Sequence, residues 1–178
     1  MKKIDITLPD KTKKTYSPGI TPAEIAKEIG EGLFRHSLAS KINGELFDLD
    51  YSIRENANLE IITSKSSEAH EILLHSTAHL MAHALKELYP NCKIAIGPAL
   101  KETFYYDIDL DESITPDILE NVANKMRELS KDGFEVKRQV LTKTKALDLF
   151  KSMKEDYKVE IIEQISGNDL ISAYEQGN

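Results

Sequence analysis

Leu38-Ala39-Ser40-Lys41-Ile42-Asn43-Gly44-Glu45-Leu46-Phe47 decides the fold of the first third of the chain. Leu38 to Ile42 reads as a strand, Asn43-Gly44 is the residue pair preferred by a type I′ hairpin turn, and Leu46-Phe47 begins the return strand. Upstream, Thr21-Pro22-Ala23-Glu24 is a helix start: Thr21 can cap, Pro22 suits the first helical position and Glu24 completes a capping box. Ile25, Ala26 and Ile29 give that helix an apolar face, and Gly30 can end it. Earlier still, Ile4, Ile6 and Leu8 alternate with polar residues, Pro9-Asp10-Lys11 turns the chain, and Lys13 to Tyr16 can return as a second strand. Leu59 to Ile62 reads as a closing strand. Hairpin, helix, hairpin and final strand is the order of a β-grasp, ubiquitin-like unit over residues 1–63.

Thr63-Ser64-Lys65-Ser66-Ser67 is a polar linker, and residues 64–178 form a second, mixed α/β domain, so the fold class is α+β. A long helix is predicted over Ser67 to Tyr89, with Ile72, Leu73, Leu80, Met81, Ala84, Leu85 and Leu88 as its apolar stripe and Pro90 beyond its end. Lys93 to Leu100 and Thr103 to Leu110 read as strands of an antiparallel sheet. Thr115-Pro116 starts a helix that runs to about Lys131, with Gly133 just past it. Phe134 to Leu141 reads as a strand and Thr142 to Met153 as a third helix, while Tyr157 to Ile165 is mixed. The last 20 or so residues are expected to be loosely held.

The 178 residues suffice for one mid-sized domain or two small ones, and a 40% apolar fraction is enough for a packed core. A net charge of -7 argues against nucleic-acid binding through bulk positive charge. It leaves room for an RNA held mainly by another part of a larger protein. The single cysteine, Cys92, cannot form an internal disulfide, which fits a reducing cytoplasm. The amino terminus lacks an apolar signal core, and no apolar run approaches the roughly 20 residues of a membrane span. The expectation is a cytoplasmic chain with no membrane partner.

The long helix carries the chemistry. His75 and His79 lie four residues apart, so both rings fall on one face about a turn apart. Two neutral imidazoles so placed can hold a water, pass a proton or contribute to a metal site; two core or solvated histidines are the bland alternative. His83 continues the series but has rotated further round the helix. Ser76 stands where a zincin needs glutamate, and a catalytic zinc needs a third protein ligand, so no metal is expected. Asp107 to Asp111 resembles the start of a calcium loop, but Glu112 and Ile118 replace the required glycine and glutamate. Neither a phosphate-binding P-loop nor a dinucleotide fingerprint occurs.

The run Leu74-His75-Ser76-Thr77-Ala78-His79, then Ala95-Ile96-Gly97-Pro98, then Phe104-Tyr105-Tyr106-Asp107, resembles the second amino-terminal domain of the threonyl-tRNA synthetase family. Ile6-Thr7-Leu8-Pro9-Asp10 and Asn43-Gly44-Glu45 are similar to that family's first domain, the TGS domain. The resemblance covers essentially the whole chain. It implies a TGS domain followed by an editing domain that hydrolyses serine wrongly attached to threonine tRNA, within an ATP-using ligase of protein biosynthesis. On the resemblance, His75 and His79 are the editing histidines, Lys158 assists them, and Tyr106 belongs to the substrate pocket, with Gly97 and His83 as further substrate contacts.

The family's histidine pair works with a later Cys-x-x-x-His segment, which this sequence lacks, so the resemblance implies an amino-terminal fragment. ATP and zinc then belong to the catalytic domain of the parent enzyme, and no cofactor is expected here. The implied partners are the acceptor end of tRNA(Thr) and the rest of the synthetase; the fragment is expected to be a monomer and the parent a homodimer. Two other readings stay open: a catalytically silent module that docks the tRNA acceptor arm, and a TGS-bearing regulatory protein. Ala95 to Asp107 speaks against the second, because a regulator has no need of an editing pocket.

Overall fold

Asn43 and Gly44 adopt φ of 51° and 94°, the two positive values a type I′ turn requires. Their hairpin is one of two in the first half of the chain. The computed structural model describes residues 2–97, 100–167 and 169–177, and the chain divides into two compact units, residues 1–73 and 74–178.

In the first unit, β1 (Ile4–Thr7) and β2 (Lys13–Tyr16) form the opening hairpin, followed by α1 (Pro22–Ile29) and α2 (Glu31–His36). Then come β3 (Ser37–Ile42), β4 (Glu45–Phe47) and β5 (Ala57–Thr63). The sheet order is β2-β1-β5-β3-β4, with β5 parallel to β1 and every other pair antiparallel. This is the β-grasp arrangement. Ile25 and Ala26 of α1 are fully buried, and Ile25 joins Ile4, Ile6, Ile42, Ile53 and Leu59 in one core.

The capping box at Thr21 forms as its residues require. The Glu24 amide donates to Thr21 Oγ1 at 3.2 Å, and the Thr21 amide donates to the Glu24 carboxylate at 2.9 Å. Thr21→Ala is expected to lower the stability of this unit by about 1 kcal/mol, read as a fall in melting temperature. Gly30 caps α1 in extended backbone, its amide donating to the Ala26 carbonyl at 3.0 Å. The short α2 after it carries no apolar stripe, and none of its residues is buried, so the pattern gave no sign of it.

α3 (Ala69–Leu88) contains the point where the two units divide. The second unit continues with β6 (Lys93–Ile94), β7 (Ile108–Asp109), α4 (Pro116–Asp132), β8 (Val136–Leu141), α5 (Lys143–Ser152), α6 (Asp156–Gln164) and β9 (Ile171–Gln176). Its core gathers Ala84 and Leu85 of α3, Cys92, Ile94, and Ile118, Val122 and Leu129 of α4. Thr115 caps α4 and Thr142 caps α5, each accepting from the amide three residues on.

Three expectations are corrected here. Among the described residues the two long strands reduce to a two-residue ladder, β6–β7, with further backbone bonds joining Ala95 and Ile96 to Asp107 and Leu100 to Thr103; positions 98 and 99 of the expected strand lie outside the described residues. Residues 157–164 belong to helix α6 instead of a mixed segment, and Ile165 is its extended cap. Its carboxyl end is held from α5, where Lys143 Nζ donates to the carbonyls of Glu163 and Ile165 at 2.9 and 2.6 Å. Within the last stretch, expected to be loosely held, β9 pairs with β8 over six residues, from Leu141↔Ile171 to Val136↔Gln176.

Candidate functional site

Every side chain of the site hangs on α3 or on an element that reaches it through the second unit. Four-residue spacing along α3 brings the His75 and His79 rings to a centroid distance of 4.4 Å, tilted by 50°. His75 is exposed and His79 half-buried. Tyr174 of β9 sets its ring edge against His79, with centroids 5.5 Å apart. Burial pushes the His79 imidazole down to about 4, helped by the charges of His75 and Lys158. His79 is therefore neutral at physiological pH.

That shift has a stability consequence. Between pH 6.5 and about 4 the unfolded chain binds a proton at His79 that the folded chain does not. Stability must then fall as pH drops through this window, and the loss is complete below about pH 4. The expected result is a lower urea midpoint at pH 5 than at pH 7, with the difference reduced in His79→Asn. An equal difference in the two proteins overturns this.

Lys158 lies in the first turn of α6, half-buried. Burial pulls its ammonium below the usual lysine range, Glu155 opposes that pull, and Lys86 adds to it. The structure thus sets the His75 and His79 rings in contact, and the charge of Lys158 acts on the inner one.

His83 is engaged elsewhere. Its Nε2 lies 3.3 Å from Glu87, whose other oxygen takes Lys125 of α4 at 2.7 Å. Phe134 packs against the ring at 5.6 Å, and a Cβ on Gly177 would come within 2.7 Å of it. Gly97 and Tyr106 meet each other. A Cβ at position 97 would stand 2.3 Å from the Tyr106 ring, which is half-buried against the second core. Pro98 of the same motif lies outside the described residues.

Among the described residues, no three His, Cys, Asp or Glu side chains gather as a metal ion needs. Cys92 is 2% exposed in the second core, and burial raises its thiol, so it offers no thiolate to the histidines. Two imidazoles alone fall short of the three protein ligands of a catalytic zinc. Among the described residues, nothing supplies a third ligand beside the two histidines. Two clefts, of about 450 and 220 Å³, lie at Lys3 and Thr15–Ile20 and at Leu88–Cys92, and neither is lined by a histidine.

Sequence reasoning missed Tyr174, Lys86 and Glu155. Tyr174 sits on a strand defined by its partner β8. Glu155 stands in a run of charged residues that reads as solvated, yet it is 4% exposed. No local pattern marks either one.

Residues 4–63 match the family described as TGS domain. Over all 178 residues the chain is 47% identical to the threonine-tRNA ligase of Geobacter sp. (strain M21) and equally so to that of Citrifermentans bemidjiense, covering 28% of each protein. It is 43% identical to the threonine-tRNA ligase of Coxiella burnetii over 173 residues, 97% of the chain and 27% of that protein. The chain spans about 28% of the length of the curated relatives it matches. No described helix is long and apolar enough to cross a membrane.

Proposed function

We infer that this chain, related to threonine-tRNA ligases over its whole length and opening with a TGS domain, is the amino-terminal region of such a ligase, and that its second unit hydrolyses serine esterified to tRNA(Thr). The observation that carries the second part is the arrangement of His75, His79 and Lys158: an exposed ring in contact with a half-buried neutral one, with an ammonium in electrostatic reach.

The need for such a site is physical. Serine lacks one methyl group of threonine, and a binding pocket extracts only about 1–3 kcal/mol from such a difference. The smaller amino acid also fits wherever the larger one does. A second site that destroys the wrong product supplies the missing discrimination, and it can reject threonine by shape.

Hydrolysis needs a water aimed at the ester carbonyl and a group to steady the departing ribose oxygen. His79 stays neutral down to about pH 4, which makes it a constant hydrogen-bond acceptor for water and a weak proton acceptor. A general base works best with a pKa near the operating pH. His79 therefore orients the water more than it abstracts a proton, His75 contacts the substrate from the solvent side, and Lys158 stabilises the leaving oxygen.

The test is deacylation of preformed Ser-tRNA(Thr) and Thr-tRNA(Thr), by the 178-residue chain and by a full-length ligase containing it. Hydrolysis of the seryl ester but not the threonyl ester by the ligase is expected. Hydrolysis of neither overturns the reading. A second reading is a docking module for the acceptor arm. Binding without hydrolysis by the 178-residue chain supports it.

A further inference from the structure

The β8–β9 ladder has two unlike faces. Side chains alternate along a strand, and directly opposite residues share a face. The register Lys137↔Glu175, Gln139↔Ala173 and Leu141↔Ile171 puts Leu141, Ile171 and Ala173 on one face, all half-buried. The ladder's acid, Glu175, lies on that face too and accepts from Gln139 Nε2 at 2.8 Å. The other face is set by Val136↔Gln176, Arg138↔Tyr174 and Val140↔Ser172, and it holds a cation and no acid. Val136, Arg138, Val140, Ser172 and Tyr174 are all exposed there.

Two contacts place this second face along α3, the helix of the histidines. Tyr174 meets His79 in a T-shaped contact, and Phe134, just ahead of β8, packs against His83 at 5.6 Å. α3 covers the face only in part, because Tyr174 is 40% exposed. An imidazole inclined at 62° does not stack on the phenol ring, and the exposed area of that ring can take a planar partner. Arg138 stands directly opposite, one strand spacing of about 5 Å away. Its guanidinium is steadied by donating to the Ser172 hydroxyl at 2.7 Å, and its planar fork suits a phosphate.

Local charge fits such a ligand. The chain carries a net charge of -7, yet residues 136–147 contain Lys137, Arg138, Lys143 and Lys145 and no acid. Lys137 lies 3.4 Å from Glu135 and Lys143 holds the end of α6, so Arg138 is the cation that the open face presents. An exposed aromatic ring beside an exposed guanidinium is the pairing that binds single-stranded nucleic acid: the ring stacks on a base and the cation takes the backbone. Within one nucleotide the ribose joins base to phosphate and carries the ester on a remaining hydroxyl. A base stacked on Tyr174 therefore brings that ribose beside His79, with centroids of the two rings only 5.5 Å apart.

We propose that the open face of the β8–β9 ladder seats the single-stranded 3′ end of the tRNA, with Tyr174 stacking on the terminal base and Arg138 gripping the phosphate of the same nucleotide. This rests on the reading that the histidine pair hydrolyses an aminoacyl ester, and it adds the surface that holds the RNA carrying that ester.

The test uses a fluorescent RNA hairpin of the tRNA(Thr) acceptor arm with its single-stranded 3′ end, beside the same hairpin cut blunt. Binding to the 178-residue chain is followed by anisotropy over a range of salt. The extended hairpin should bind more tightly than the blunt one. Tyr174→Leu should weaken its binding by about 5–150-fold, and Tyr174→Phe, which keeps the ring, should restore it. Arg138→Gln should weaken binding and flatten the slope of log affinity against log salt by about 0.7, the share of one phosphate in a single strand. Arg138→Lys should keep the slope, which loosened packing alone would not discriminate. Equal binding of the two hairpins, or unchanged affinity in either Tyr174→Leu or Arg138→Gln, overturns the proposal, and the two Arg138 variants decide it should Tyr174→Leu fail to fold. Hydrolysis of Ser-tRNA(Thr) by the ligase is measured separately. If the seryl ester survives while the hairpin binds as expected, the hydrolytic reading falls and the RNA seat stands. If hydrolysis proceeds and the variants leave binding unchanged, the seat alone falls.

Discussion

In a full-length ligase carrying His79→Ala, hydrolysis of preformed Ser-tRNA(Thr) is expected to fall by roughly 10²–10⁴-fold, the range a positioned acid–base or water-orienting group supplies. His79 is the inner member of the pair, closed in by Tyr174 on one side and His75 on the other. Alanine removes the acceptor that orients the water and leaves a space that water can fill without orientation. His75→Ala should cost less, since that ring is exposed and bulk water replaces part of what it does. Attachment of threonine should be unaffected in both variants, because neither histidine serves that reaction on this reading. Single-turnover deacylation beside an aminoacylation assay gives both numbers. Unchanged hydrolysis in both variants removes the histidine pair from the mechanism.

Gly97→Ala should destabilise the second unit by about 1–3 kcal/mol, the usual cost of forcing atoms into a filled space. The added Cβ would stand 2.3 and 2.4 Å from two atoms of the Tyr106 ring, well inside van der Waals contact. The ring cannot swing away freely, because it is half-buried against the core that holds Leu85, Ile94 and Val122. A double-mutant cycle isolates the cause. In a Tyr106→Ala background the clash is gone, so Gly97→Ala should cost much less there. Urea midpoints of the four proteins check it, and an equal cost in both backgrounds rules out the clash. The contact also explains why a glycine stands opposite this tyrosine.

What the sequence revealed and what it hid divide by range. The Asn43-Gly44 turn, the Thr21 capping box and the cap at Thr115 are local, each settled by a few neighbouring side chains. They were legible, and with them came the β-grasp order and the helix that carries the histidine pair. The contact between His75 and His79 was legible too, since helical spacing alone makes it. The rest depends on distant partners. β9 exists because β8 accepts it, and α6 is held at its end by a lysine from α5. The burial of Glu155 depends on Lys86, far back in the chain. No window of sequence contains both members of these pairs. The resemblance supplied Lys158, and the structure supplied its surroundings.

The ladder between β8 and β9 has a temporal side. His79 and His83 belong to a helix whose hydrogen bonds are all local, so that helix can form early. Their surroundings come late: Tyr174 reaches His79 from β9, and Gly177 reaches His83 from the residue just after it. Closing such a long loop is the slow kind of step in folding. On the ribosome, the helix is made well before the strand that encloses its histidines. Until β9 docks, His79 lacks its Tyr174 neighbour. Part of the burial that lowers its proton affinity is thus acquired only when β9 joins β8.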